Sequence, residues 1–184
     1  MLGMDVDVFK PAAQVDARAI LGLPIDRKIL FFGAQRTHEE RKGIAYLVDA
    51  LKQLHAMLDD NPDLRKNILV VTAGDWAKAD KLEMLFEHRH IGSLQGDTML
   101  AAAYQAADIF VSASIEDSGP MMINESILCG TPVVSFAMGV APDLVHTGRT
   151  GYRARLRDAA FWWMMGQAMA RRKLPSMSFL KRPS

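Results

Sequence analysis

The stretch DIFVSASIEDSGPMMINESILCGTPVVSF, residues 108–136, reads as strand, loop, helix and strand. DIFVSAS (108–114) and PVVSF (132–136) are short, continuous apolar runs. They do not alternate, which suits strands covered on both faces within a parallel sheet. Residues 120–129 read as a helix closed by Gly130. Pro132 follows where a helix cannot continue and a strand can begin.

The same grammar extends outward. KILFFG (28–33) and NILVVTAG (67–74) are two more continuous runs. In 43–58 the apolar residues Ile44, Leu47, Val48, Leu51, Leu54 and Leu58 recur at helical spacing, as Met99, Leu100, Ala103, Tyr104 and Ala107 do in 98–107. His88 and His90 flank an expected short strand. Strand and helix in repeated alternation predict an α/β fold with a doubly wound, Rossmann-like parallel sheet. The domain is expected over 1–158, beginning with an extended start, a break at Pro11 and a short helix ending near LGLP. Residues 159–184 form an atypical or truncated end, a last helix over roughly 159–172 and then a basic tail.

Composition narrows the function classes. Among 184 residues, 22 Lys and Arg stand against 21 Asp and Glu, a net charge of +1. That balance argues against a nucleic-acid partner, which would call for a basic excess. The single cysteine, Cys129, excludes an intrachain disulfide and a multi-cysteine zinc site. No apolar stretch has transmembrane length, and the N-terminus lacks the charge-then-apolar order of a signal peptide. A cytoplasmic location is expected. Trp162 and Trp163 beside the basic tail have the chemistry for a membrane surface, so a peripheral place on the inner face stays open. Packing against another domain is the plainer reading of that pair.

In open α/β sheets ligands bind beyond the C-terminal ends of the strands. Three loops occupy that edge: AQRTHEERKG (34–43), TAGDW (72–76) and IEDSGP (115–120). The first carries Arg36, Arg41 and Lys42 just before a helix. In the third, Asp117 and Ser118 can cap the following helix, and Gly119 lets backbone approach a ligand closely. Pro120 suits the first helical turn. The free N–H groups and the helix dipole then make a phosphate site. Glu125 lies about a turn and a half further on, in an apolar surround. A carboxylate there needs a partner, and the vicinal hydroxyls of a ribose would supply donors. The plain alternative takes Asp117 as an ordinary N-cap and Glu125 as a solvated helix residue. His38 reads as a solvated loop residue, and Cys129 as a small buried residue at a helix end.

The segment EDSGPMMINESILCGTPVVSFAMGVAPDLVHTGRTGYRA (116–154) resembles the donor-site region of family-4 glycosyltransferases of GT-B fold. Asp117, seven positions, then Glu125 and CGTPVVSF (129–136) fit that family's pattern; Glu116 lies one residue too far back. VHTGRTGY (145–152), RKG (41–43), MDVDVFKP (4–11) and GSLQGDTMLAAAYQAADIFVSAS (92–114) fit it as well, in order. The resemblance covers 4–158.

It implies the C-terminal, donor-binding half of a retaining glycosyltransferase that moves a sugar from a nucleotide diphosphate sugar to a glycan or lipid-linked acceptor. Lys42 and Asp117 would be the catalytic pair. Lys42 would hold the diphosphate with Arg36 or Arg41. Asp117 would hold sugar hydroxyls, Ser118, Gly119 and Pro120 would line the donor site, and Glu125 would bind ribose. Arg36 departs from the family's pattern, standing three residues beyond the strand-end Gly33. The base would rest near Ser93 and Leu94. No cofactor or metal is implied: no Asp-x-Asp pair stands near a strand end, and DVD (5–7) falls in the entry segment.

The acceptor would bind through a first domain that is missing from these residues, leaving Phe161, Trp162, Trp163, Met164 and Met165 uncovered. Two other classes remain: a non-catalytic nucleotide-sugar-binding module needing a separate acceptor domain, and an epimerase or phosphorylase on a similar fold. A redox Rossmann enzyme is disfavoured because no G-x-G-x-x-G follows the first strand.

Overall fold

A computed structural model describes residues 4–36, 40–75, 85–116, 121–155 and 164–165. Six strands form one sheet: β1 (Lys28–Arg36), β2 (Ile68–Asp75), β3 (Glu87–His90), β4 (Ile109–Ser112), β5 (Val133–Phe136) and β6 (Gly151–Ala154). All neighbouring pairs run parallel, in the order β3-β2-β1-β4-β5-β6. This is the doubly wound order, with its reversal between β1 and β4.

The continuous apolar runs follow from burial on both faces. In β1, Leu30 and Phe32 face one core while Ile29 and Phe31 face the other. The first core takes helix α2 (Ile44–Met57) through Ile44, Leu47, Val48, Leu51 and Leu54. The second takes α1 (Gln14–Ile20), α4 (Gly96–Ala106), α5 (Met121–Leu128) and the short α6 (Ala141–Leu144); a one-turn α3 (Pro62–Lys66) precedes β2. Each large side chain buried this way contributes about 1.5–3 kcal/mol. Phe31, Tyr104 and Phe110 form an aromatic cluster in the second core, with ring centroids 5.2–5.8 Å apart.

Two terminators act as the sequence suggests. Gly130 takes a φ of 77° after α5, and its N–H reaches the Ile127 carbonyl at 2.9 Å. Thr131 then bonds back to Ser126, and the Pro132 carbonyl accepts from Phe110 as β5 begins.

Charge is buried at the opposite, N-terminal edge. Arg18 donates to Asp108 at 2.9 Å and to the carbonyls of Ala106, Ile25 and Arg27. Asp108 also accepts from the Ile29 N–H at 2.8 Å and from Lys28. The cluster ties α1 to the starts of β1 and β4.

One expectation is corrected. Met164 and Met165 are helical and buried, 9% and 0% exposed, in the α2-side core. Both side chains belong to the core that also holds Phe136 and Tyr152, so these two are not uncovered. Phe161, Trp162 and Trp163 lie outside the described residues, as does the rest of the expected helix over 159–172.

Candidate functional site

Because α2 leaves β1 over one face and α5 leaves β4 over the other, a crevice opens where the strand order reverses. The two loops that border it are fastened together. After β1, a 3₁₀ turn (Glu40–Lys42) ends at Gly43, whose φ of 69° starts α2. After β4, the chain passes close beneath that turn. Ile115 donates its N–H to the Arg41 carbonyl at 2.8 Å. A Cβ on Gly43 would stand 1.8 Å from the Ala113 carbonyl oxygen, so only glycine fits.

This brings Arg41 and Lys42 to the loop that runs on toward Asp117. Arg41 is exposed and Lys42 half-buried. Arg36 closes β1 at an irregular step, paired through its backbone with Asp75. Its side chain lies outside the described residues, and so do Asp117, Ser118, Gly119 and Pro120.

Glu125 is described in full. It is 6% exposed, and its Oε2 accepts a 2.8 Å hydrogen bond from the Tyr104 hydroxyl across the α4–α5 contact. The reading of Glu125 as a solvated residue is thereby excluded, and the partner its burial calls for comes at least partly from the protein. Burial raises the Glu125 pKa above its ordinary 4.5, and the charge of Asp97 adds to this, while the Tyr104 hydrogen bond opposes it. Burial and the Glu125 charge together hold the Tyr104 phenol well above 10. In the sequence Tyr104 reads as one apolar position of a helix. The available signal was a tyrosine where leucine would serve, since a buried phenol seeks a partner.

Residues 26–169 match the family described as glycosyl transferases group 1, more than three quarters of the chain. The chain belongs to that family.

Among curated relatives of this group 1 chain, a D-inositol 3-phosphate glycosyltransferase of Streptomyces avermitilis is 30% identical over 170 residues, covering 86% of this chain and 36% of that protein. The chain thus spans just over a third of the length of the curated relatives it matches. Among solved structures, a sucrose-phosphate synthase from Thermosynechococcus elongatus superposes with a TM-score of 0.69 at 28% identity, over 91% of this chain and 42% of the other. An Anabaena protein crystallised with UDP-glucose superposes at 0.63 and 20% identity, over 92% of this chain and 51% of its own. The sheet is accordingly the Rossmann-like unit found in the C-terminal part of GT-B glycosyltransferases.

The remaining sequence candidates have local explanations within this group 1 fold. Asp5 of the DVD segment accepts from the N–H groups of Asp7 and Val8, which makes it a turn residue. His88 Nε2 and His90 Nδ1 both bond Thr72 Oγ1, at 2.8 and 3.1 Å. Ser93 is exposed in the loop after β3, which is tied to β2 by the Gly74 N–H to Gly92 carbonyl bond. Cys129 is buried, and that burial, with the nearby Glu125 charge, pushes its thiol up to about 11. His38 lies outside the described residues. At the opposite edge a shallow groove is bordered by Arg27, Asp63, Arg65, Lys66 and Glu87. There Arg27 pairs with Glu87 and Arg65 with Asp59, so much of its positive charge is already answered.

Proposed function

We propose that this chain is the donor-binding part of a retaining glycosyltransferase, which moves a sugar from a nucleoside diphosphate sugar to a glycan or lipid-linked acceptor. One observation carries the reading. The cationic Arg41–Lys42 turn and the loop leading to Asp117 are locked together at the switch point, through Gly43 against Ala113 and Ile115 bonded to Arg41. A diphosphate and its sugar need a cation and a hydroxyl acceptor held side by side, and this juncture holds the cationic turn against the segment that enters the Asp117 loop.

In the reaction the bond from the anomeric carbon to the diphosphate oxygen breaks. The acceptor hydroxyl oxygen bonds to that carbon on the same face, its proton passes to the departing diphosphate oxygen, and the nucleoside diphosphate leaves. Lys42, with Arg41 or Arg36, and the N–H groups at the start of α5 offset the charge growing on the leaving group. Removing one such preorganised donor costs about 2.7–4 kcal/mol in related situations. In this reading these groups do the work for which other phosphate enzymes use a divalent ion, so no metal is required. Asp117 accepts from sugar hydroxyls and Glu125 from ribose. The UDP-glucose held by the Anabaena protein makes that donor the first probe, with GDP-mannose as the second.

Calorimetric titration of the chain with these donors, and with UDP and GDP, tests the reading. Binding is expected to persist in EDTA. Glu125→Ala should weaken nucleotide and nucleotide sugar alike, and Asp117→Ala the sugar-bearing ligand selectively. A strict Mg²⁺ requirement would overturn the metal-free reading, and equal losses on both ligands in both variants would overturn the division of roles.

A further inference from the structure

The Tyr104 hydroxyl is the one polar atom on a side chain otherwise given over to packing. The residue is 0% exposed, with Phe31 and Phe110 at its ring edges. Its backbone is anchored too, since Thr131 Oγ1 donates to the Tyr104 carbonyl at 2.6 Å, tying α4 to the end of α5. The hydroxyl therefore sits at a fixed place, and its single proton goes to Glu125 Oε2 at 2.8 Å.

A glutamate's last torsion is broad and nearly two-fold, so a carboxylate held by nothing presents its oxygens in many directions. Pinning one oxygen to a rigid phenol sets the plane of the group and hence the direction of the other oxygen. Phenylalanine would serve the aromatic cluster equally well, so packing alone gives no reason for the hydroxyl.

We propose that Tyr104 is a positioning residue for donor binding: its hydroxyl fixes Oε2 of Glu125 and thereby turns Oε1 toward the ribose hydroxyls. This rests on the reading of Glu125 as the ribose-binding group. Tyr104 touches no ligand and acts through Glu125. Among the described residues, Asp97 of α4 also raises the Glu125 pKa, and the Glu125 charge in turn raises that of Cys129 beyond its own helix. Neither is moved by changing Tyr104 to phenylalanine.

The experiment titrates wild type, Tyr104→Phe and Glu125→Ala with UDP, GDP and the 2′,3′-dideoxy form of each, across a pH series. For the nucleotide that binds tighter, Tyr104→Phe should lose roughly two- to tenfold in affinity, the range of one hydrogen bond. The dideoxy form, which offers Glu125 no hydroxyl, should bind wild type and variant equally. The acid limb of the affinity profile should shift to higher pH in the variant, because the hydrogen bond that favours the carboxylate is gone. Equal loss on ribose and dideoxy forms, or no loss on either, would overturn the role of Tyr104. If Glu125→Ala also fails to separate the two forms, or wild type binds neither nucleotide, the ribose reading itself has failed. If Glu125→Ala separates them and Tyr104→Phe does not, only the positioning role has failed. Should Tyr104→Phe not fold, 3-fluorotyrosine incorporated at position 104 keeps the ring and makes the phenol a stronger donor to Glu125. It must then change affinity for the ribose form and leave the dideoxy form unchanged; an equal change in both forms, or none, would overturn the proposal.

Discussion

Gly43 and Ala113 are in backbone contact: a Cβ added to the first would stand 1.8 Å from the carbonyl oxygen of the second. The contact sets the spacing between the basic turn and the loop leading to α5. Gly43 also takes a left-handed φ of 69°, as Gly22 does at 63°, but Gly22 has open space around it.

The pair gives a controlled comparison. Gly22→Ala should cost only the left-handed penalty, about 1–2 kcal/mol. Gly43→Ala carries that penalty and a backbone collision, so it should cost at least about twice as much and also weaken nucleotide binding. Urea denaturation with a parallel nucleotide titration checks both. Equal destabilisation would show that the two loops are not locked as described.

A second prediction concerns the buried cluster at the far edge. Asp108→Asn removes the charge that answers Arg18 while nearly preserving shape. Leaving a buried guanidinium unanswered costs about 3–5 kcal/mol. The urea midpoint should fall with the slope unchanged, and nucleotide affinity per folded molecule should stay as in wild type. A change within about 0.5 kcal/mol, the range of an ordinary surface substitution, would contradict the ion pair.

A third concerns pH. The Glu125 pKa is raised in the fold, burial being the largest cause. Between 4.5 and that raised value the native state binds more protons than the unfolded one, so stability falls as pH rises through the window. Glu125→Gln removes this titration and keeps an acceptor for Tyr104. The melting temperature of Glu125→Gln relative to wild type should therefore climb with pH through the window and then level off. A gain of roughly 2–4 °C would correspond to about 1 kcal/mol in a chain of this size. Calorimetric melts at several pH values read this directly, and a gap that narrows as pH rises would contradict it.

These features differ in how visible they are in the sequence. The strands KILFFG, NILVVTAG, DIFVSAS and PVVSF announce themselves because burial on both faces demands unbroken apolar runs. The edge strands announce themselves less: β3 reads EHRH, polar and mostly exposed, and β6 reads GYRA, largely buried but only four residues long, with a glycine and an arginine breaking the apolar run. The sequence therefore shows β6 only as part of a motif. Gly43 could be placed in a phosphate-binding signature, but the reason for glycine there is a carbonyl seventy residues downstream. Glu125 could be read as an inward acid, whereas Tyr104 as its partner needed the packing of α4 on α5. The same distance hides the Arg18–Asp108 pair, ninety residues apart.

Backbone amide NMR during titration with UDP-glucose and then GDP-mannose, both in EDTA, reads residue by residue whether a donor binds at the switch point. At least one donor should shift the amides of Arg41–Ile44, Ala113–Glu116 and the first turns of α5, leaving Arg27, Lys66 and Glu87 at the opposite edge still. Shifts gathered around Arg27, Lys66 and Glu87, or none with either donor, would contradict it.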